Sequence, residues 1–127
     1  MTAPITLLIV DDEPAIQSVL CAAFTRAGYQ VKTAGGPGQA MELCDSQKFD
    51  AILSDVQMPG LDGHSLIRWV ADKYPETRSV LMSGFDIHCG DCPLPGRCKL
   101  LQKPFLPSTA VTAVGQALSQ PPPGRLS

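Results

Sequence analysis

The chain has 127 residues, a formal net charge of −2, 44% hydrophobic residues and 17% charged ones. That length suits one domain, able to bury roughly two-thirds of its unfolded surface, and leaves little for a second. The charge excludes the basic stripe that a nucleic-acid interface needs, scattered Lys and Arg argue against an anionic membrane surface, and no apolar run approaches the ~20 residues that span a bilayer.

Met1 to Pro4 carries neither a basic n-region nor an apolar signal stretch. The cytoplasm is therefore the expected compartment, where the five cysteines are thiols, metal ligands or redox groups rather than structural disulfides. Ile5 to Val10 is a short apolar run ending in acids, which suits a buried parallel strand. Pro14 fits a first helical turn. Ile16, Val19, Leu20, Ala23, Phe24 and Ala27 then follow at helical spacing until Gly28 stops the helix. Gln30 to Ala34 is a half-polar strand. Gly35-Gly36-Pro37-Gly38 reads as a loop, with a short helix from Gln39 to Ser46.

Ala51 to Asp55 is a third strand, again apolar and again ending in an acid. Met58 to Gly63 is a loop. Leu66, Trp69, Val70 and Tyr74 mark a third helix, which Pro75 ends. Ser79 to Ser83 and Lys99 to Gln102 are the fourth and fifth strands. Val111, Val114 and Leu118 mark a last amphipathic helix. The expected boundaries are one domain over residues 1–120 and a disordered tail or linker stub over 121–127. Alternating strands and helices predict an α/β fold with a parallel sheet covered on both faces. The alternation breaks once, between His88 and Cys98, where two prolines and two glycines oppose a regular helix.

In open α/β sheets, chemistry gathers at the carboxyl ends of the strands. Here those ends carry Asp11-Asp12, Asp55, Ser83 and Lys103. Each has an ordinary explanation alone: an Asp pair is often a helix N-cap, a strand-terminal Ser a turn former, a Lys before Pro a surface residue. Together they form the set that phosphoryl transfer requires. A carboxylate serves as nucleophile, hard oxygen ligands suit Mg²⁺, and a hydroxyl and an ammonium can donate to phosphoryl oxygens.

The segments Leu8-Ile9-Val10-Asp11-Asp12-Glu13, Ser54-Asp55-Val56-Gln57-Met58-Pro59-Gly60-Leu61-Asp62-Gly63, Met82-Ser83-Gly84 and Lys103-Pro104-Phe105 carry a resemblance that runs from Thr6 to about Ser119. By these motifs the chain resembles the receiver domain of two-component response regulators. The resemblance implies a flavodoxin-like, doubly wound, five-stranded parallel sheet of order 2-1-3-4-5. It implies a bacterial signalling phosphoacceptor, with slow self-dephosphorylation, rather than a turnover enzyme. Asp55 would receive the phosphoryl group from a histidine kinase or phosphotransfer protein. Asp11, Asp12, Asp55 and the backbone carbonyl of Gln57 would hold Mg²⁺, for which Mn²⁺ could substitute. Ser83 and Lys103 match the family's hydroxyl and lysine, and Gln57 and Phe85 the positions that tune dephosphorylation. Phe85 would shield the acyl phosphate from water. No nucleic-acid or membrane partner is implied for this domain, and a homodimer stays open. A dehalogenase-like hydrolase is disfavoured, because that group carries Asp-x-Asp after its first strand and here the residues are Asp11-Asp12-Glu13.

Two departures stand out. Leu100 takes the place where the family commonly has an aromatic residue. The fourth helix is expected to be reduced or replaced by the Pro/Gly/Cys loop, which would remodel the output and dimer face. His88, Cys89, Cys92 and Cys98 in that loop leave three readings open: packing thiols, a Zn²⁺ site, or a redox input that would make the chain a sensing module. Cys21 and Cys44 read as packing residues, His64 as a capping or solvent-facing one, and Trp69 and Tyr74 as packed aromatics.

Overall fold

The computed structural model describes residues 4–55, 63–74, 76–83, 99–102 and 105–119, of which 63, 64, 83, 99, 100 and 102 are described by their backbone alone. The tail and the stretch from His88 to Cys98 lie outside the described residues, as do the side chains of His64 and Leu100. The elements are β1 (Thr6–Val10), α1 (Pro14–Arg26), β2 (Gln30–Ala34), α2 (Pro37–Ser46), β3 (Ala51–Asp55), α3 (Gly63–Lys73), β4 (Arg78–Ser83), β5 (Lys99–Gln102) and α4 (Pro107–Leu118). The five strands form one parallel sheet in the order β2-β1-β3-β4-β5. This is the doubly wound order that the motifs implied.

Alternation along each strand divides the interior into two layers. Leu8, Val10, Ile52 and Leu81 point to one face and pack with Ala40 and Cys44 of α2 and Leu66, Ile67 and Val70 of α3. Leu7, Ile9, Leu53, Val80 and Met82 point to the other, against Leu20 and Phe24 of α1 and Ala110, Ala113 and Val114 of α4. Leu7 to Val10 and Ala51 to Leu53 are all 0% exposed. That burial explains why these two central strands read as unbroken apolar runs while β2, at the edge, is half polar. Trp69 and Tyr74 pack against the first layer and meet edge to face, 5.8 Å between centroids.

Helix boundaries follow local chemistry. α2 starts at Pro37, two residues before the expected Gln39. Proline at the first helical position needs no donor and has its φ preset, so the apparent loop proline opens the helix instead. α3 starts at Gly63, three residues before its first apolar marker, and β4 at Arg78 rather than Ser79. α1 ends as the glycine predicts. Gly28 has φ +100, its amide donates to the Thr25 carbonyl at 3.0 Å and the Tyr29 amide donates to the Phe24 carbonyl at 3.0 Å. This is a Schellman cap, and its apolar contact is the Phe24–Tyr29 edge-to-face pair at 5.1 Å. The cap turns the chain directly into β2.

At the amino end of the sheet, Lys73 Nζ lies 2.7 Å from Asp45 Oδ1, the Tyr74 hydroxyl donates to the same oxygen, and Lys48 pairs with Glu76 at 3.5 Å. Lys73, then Tyr74, holds the Asp45 carboxyl below its ordinary value of 3.8. The Tyr74 hydroxyl is pushed up to about 12, first by its bond to Asp45 and then by desolvation. Burial, with Asp45 nearby, pushes the Cys44 thiol up to about 11, so it packs as a neutral thiol in the core. Cys21, the other cysteine among the described residues, is half-buried on α1 with its Sγ 4.0 Å from the Thr25 hydroxyl.

Gly28→Val forces a β-branched residue into a left-handed conformation and should cost about 1–2 kcal/mol, read as a lower urea midpoint at unchanged slope. Asp45→Asn should lower the melting temperature at neutral pH. Because the folded Asp45 value is depressed, its stabilisation is present above 3.8 and fades as pH falls from there through the folded value. The wild-type and Asp45→Asn melting curves should therefore converge in acid; a constant gap would show that the carboxylate's charge is not what matters.

Candidate functional site

The sheet order reverses between β1 and β3, since β2 lies to one side of β1 while β4 and β5 lie beyond β3. The crevice at the carboxyl ends of these two strands is the topological switch point. The register pairs Val10 with Ser54, so the next residues, Asp11 and Asp55, stand at the same level at the ends of β1 and β3. Asp11 is fully buried, Asp55 is 6% exposed and Asp12 is exposed. The carboxylate oxygens of Asp11, Asp12 and Asp55 lie within 4.8 Å of one another.

Asp11 and Asp12 do not serve as the helix cap. The N-cap of α1 is Glu13, whose side chain makes no capping bond. The Glu13 amide donates instead to Asp11 Oδ1 at 2.9 Å, which turns the Asp11 carboxylate inward. The Asp11 amide donates to the Ala34 carbonyl at 3.1 Å, extending the β1–β2 ladder by one bond. The buried Ser54 hydroxyl donates to the Asp55 carbonyl at 3.0 Å.

Gln17 is a contributor that the sequence reading does not single out. Its Nε2 donates to the Asp11 carbonyl at 2.5 Å and to the Ala34 carbonyl at 3.1 Å. In the sequence it is one polar residue among the helical markers. The available signal is its position just inside the helix that follows the acid pair.

The three carboxylates are hard oxygen donors, partly buried and open on the Asp12 side. Like charges about 4 Å apart repel by about 4 kcal/mol at an effective dielectric of 20, a cost that a divalent cation removes. The donor set therefore fits Mg²⁺. Among the described residues this is the one cluster of metal-ligating side chains. Ser83 ends β4, one residue beyond the Met82 that pairs with Asp55, so its backbone sits at the same rim of the sheet. Gln57, Phe85, Lys103 and the loop residues His88, Cys89, Cys92 and Cys98 lie outside the described residues.

The family model for the response regulator receiver domain matches residues 7–114. The chain belongs to the response regulator receiver domain family. The sensor kinase CckA of Brucella abortus is 29% identical over 119 residues, covering 91% of this chain and 13% of CckA. The transcriptional regulator NtrC of Azospirillum brasilense is 33% identical over 124 residues, covering 95% of this chain and 26% of NtrC. The chain thus spans about an eighth to a quarter of these relatives. A receiver protein from Sinorhizobium medicae has a similar crystal structure, with TM-score 0.84 and 26% identity over 91% of this chain and 94% of that one. Receiver domains act as signalling phosphoacceptors and bind Mg²⁺ in an acidic pocket. Among the described residues, no helix is long and apolar enough to cross a membrane.

Mutual repulsion at the site gives a direct test. In buffer with a chelator, Asp12→Asn should stabilise the receiver domain by about 1 kcal/mol, because it removes one like charge near the solvent boundary. Added Mg²⁺ should narrow or reverse that difference in urea unfolding. A variant less stable than wild type without metal would mean that the three carboxylates are not in conflict.

Proposed function

We propose that this receiver domain accepts a phosphoryl group on Asp55 from a histidine kinase or phosphotransfer protein, in a Mg²⁺-dependent reaction, and acts as a signalling switch. The observation that carries the reading is the convergence of Asp11, Asp12 and Asp55 within 4.8 Å at the switch point of the sheet. The sensor-kinase and NtrC relatives support a kinase partner. In the proposal Asp11, Asp12, Asp55 and the carbonyl of Gln57 hold the cation, and Ser83 and Lys103 donate to the phosphoryl oxygens. Gln57 and Phe85 tune the lifetime of the product. Residues 1–120 form the receiver and 121–127 a tail or linker stub. The alternative of a metal- or redox-sensing module depends on the Cys loop, and no described residue supports it.

When bound, Mg²⁺ neutralises the clustered carboxylates and the charge on the phosphoryl oxygens. The protein's own groups supply nucleophile and alignment. An Asp55 carboxylate oxygen attacks phosphorus, the phosphorus–nitrogen bond of the donor histidine breaks, and its electron pair stays on the imidazole. Asp55 suits this role because β3 is buried along its whole length, so the carboxylate is presented from a rigid strand end with only a small exposed edge. An in-line donor can reach that edge while bulk water is largely excluded.

Incubation with Mg²⁺ and acetyl phosphate, followed by intact mass measurement, should show one added phosphoryl group. The adduct should be absent in Asp55→Asn and in the presence of a chelator. An adduct that persists in Asp55→Asn would move the phosphoacceptor elsewhere.

A further inference from the structure

We propose that Gln17 is a positioning residue that sets the cation affinity of the acid cluster by clamping the Asp11–Asp12 peptide to the end of β2. The inference rests on reading Asp11, Asp12 and Asp55 as the cation site. Each of the three acids must be held differently. Asp55 belongs to β3 and is paired through the ladder with Met82. The Asp11 carboxylate is fixed by the Glu13 amide at 2.9 Å. Asp12 is exposed, and no described residue donates a hydrogen bond to its carboxylate. Its position is therefore inherited from the backbone that leads into it.

That backbone is the peptide whose carbonyl belongs to Asp11, and Gln17 Nε2 donates to this carbonyl at 2.5 Å. The same amide nitrogen donates to the Ala34 carbonyl at 3.1 Å, which also accepts the Asp11 amide at 3.1 Å. One side-chain amide thus uses both its protons on two strand ends, β1 and β2, from the second turn of α1. A carboxylate at position 17 could not donate, and a shorter amide could not span both carbonyls. The Asp11–Asp12 plane would then rotate more freely, and Asp12 would lose its fixed approach to Asp55. Groups that orient metal ligands in this indirect way typically change metal affinity by 10–100-fold.

Calorimetric titration of Mg²⁺ into the full chain tests the clamp. Gln17→Met keeps the shape and removes the donor; Gln17→Asn keeps the amide and shortens the reach. Gln17→Met should weaken Mg²⁺ binding about tenfold, and Gln17→Asn should weaken it less. In an Asp12→Asn background, Gln17→Met should cause no further loss, because the clamp acts through Asp12. At saturating Mg²⁺ the rate of phosphorylation by acetyl phosphate should return to the wild-type value. Wild-type affinity in folded Gln17→Met, an undiminished loss in the Asp12→Asn background, or a rate that stays low at saturating Mg²⁺ would overturn the clamp. Should Gln17→Met not fold, wild-type affinity in Gln17→Asn would overturn it equally. Failure of the wild type to bind Mg²⁺, or of Asp12→Asn to weaken binding, would instead overturn the cation site on which the clamp depends.

Discussion

Three carboxylates within 4.8 Å of one another, one of them wholly buried and one nearly so, set the terms for the rest of this domain. The acids of such a cluster repel one another, so the backbone under them has to hold them together. The two strands that deliver Asp11 and Asp55 are buried on both faces, with Leu7 to Val10 and Ala51 to Leu53 fully enclosed. Apolar burial over those residues holds the strand ends in register, and the register places the acids level with each other. The arrangement keeps charge out of the buried length of these strands and places the three acids at one rim.

The two layers of the core divide the work. α1 and α4 cover the face formed by Leu7, Ile9, Leu53, Val80 and Met82, while α2 and α3 cover the face formed by Leu8, Val10, Ile52 and Leu81. Because α1 starts only three residues after Asp11, its packing through Leu20 and Phe24 also fixes where the acid pair sits. The Schellman cap at Gly28 closes the other end of that helix and feeds β2, whose last residue, Ala34, returns to the site as a hydrogen-bond acceptor. The segment from β1 to β2 is therefore a closed mechanical unit, with the acids at one end and the Phe24–Tyr29 contact at the other.

Most of this architecture is legible in the residues. The apolar runs ending in Asp11 and Asp55 announce buried parallel strands and the acids beyond them, and β2, β3 and β5 begin and end where the pattern places them. The misjudged helix boundaries share a cause. Pro37 and Gly63 look like breakers in one dimension, but each occupies a helix start, where a missing donor or a missing side chain costs nothing. Gln17 was invisible for a different reason. Its role depends on the Ala34 carbonyl, 17 residues away in sequence, and no periodicity encodes a side-chain amide reaching two strand ends.

The two ends of the sheet are built on opposite electrostatic plans. At the amino end, unlike charges pair between the last turns of α2 and α3 and the segments that follow them: Asp45 with Lys73, Lys48 with Glu76, each pair 28 residues apart. Thr6 and Asp50 add a reciprocal set of bonds, with the Thr6 amide on Asp50 Oδ2 at 2.9 Å and the Asp50 amide on the Thr6 hydroxyl at 3.2 Å. At the carboxyl end, like charges face each other. The pairs at the amino end resist the strand slippage that would move the acids at the carboxyl end apart. A cation bound among the acids would then relieve their repulsion without deforming the sheet. In the proposed switch, cation and phosphoryl group would change the electrostatics of the site while the sheet stays in place.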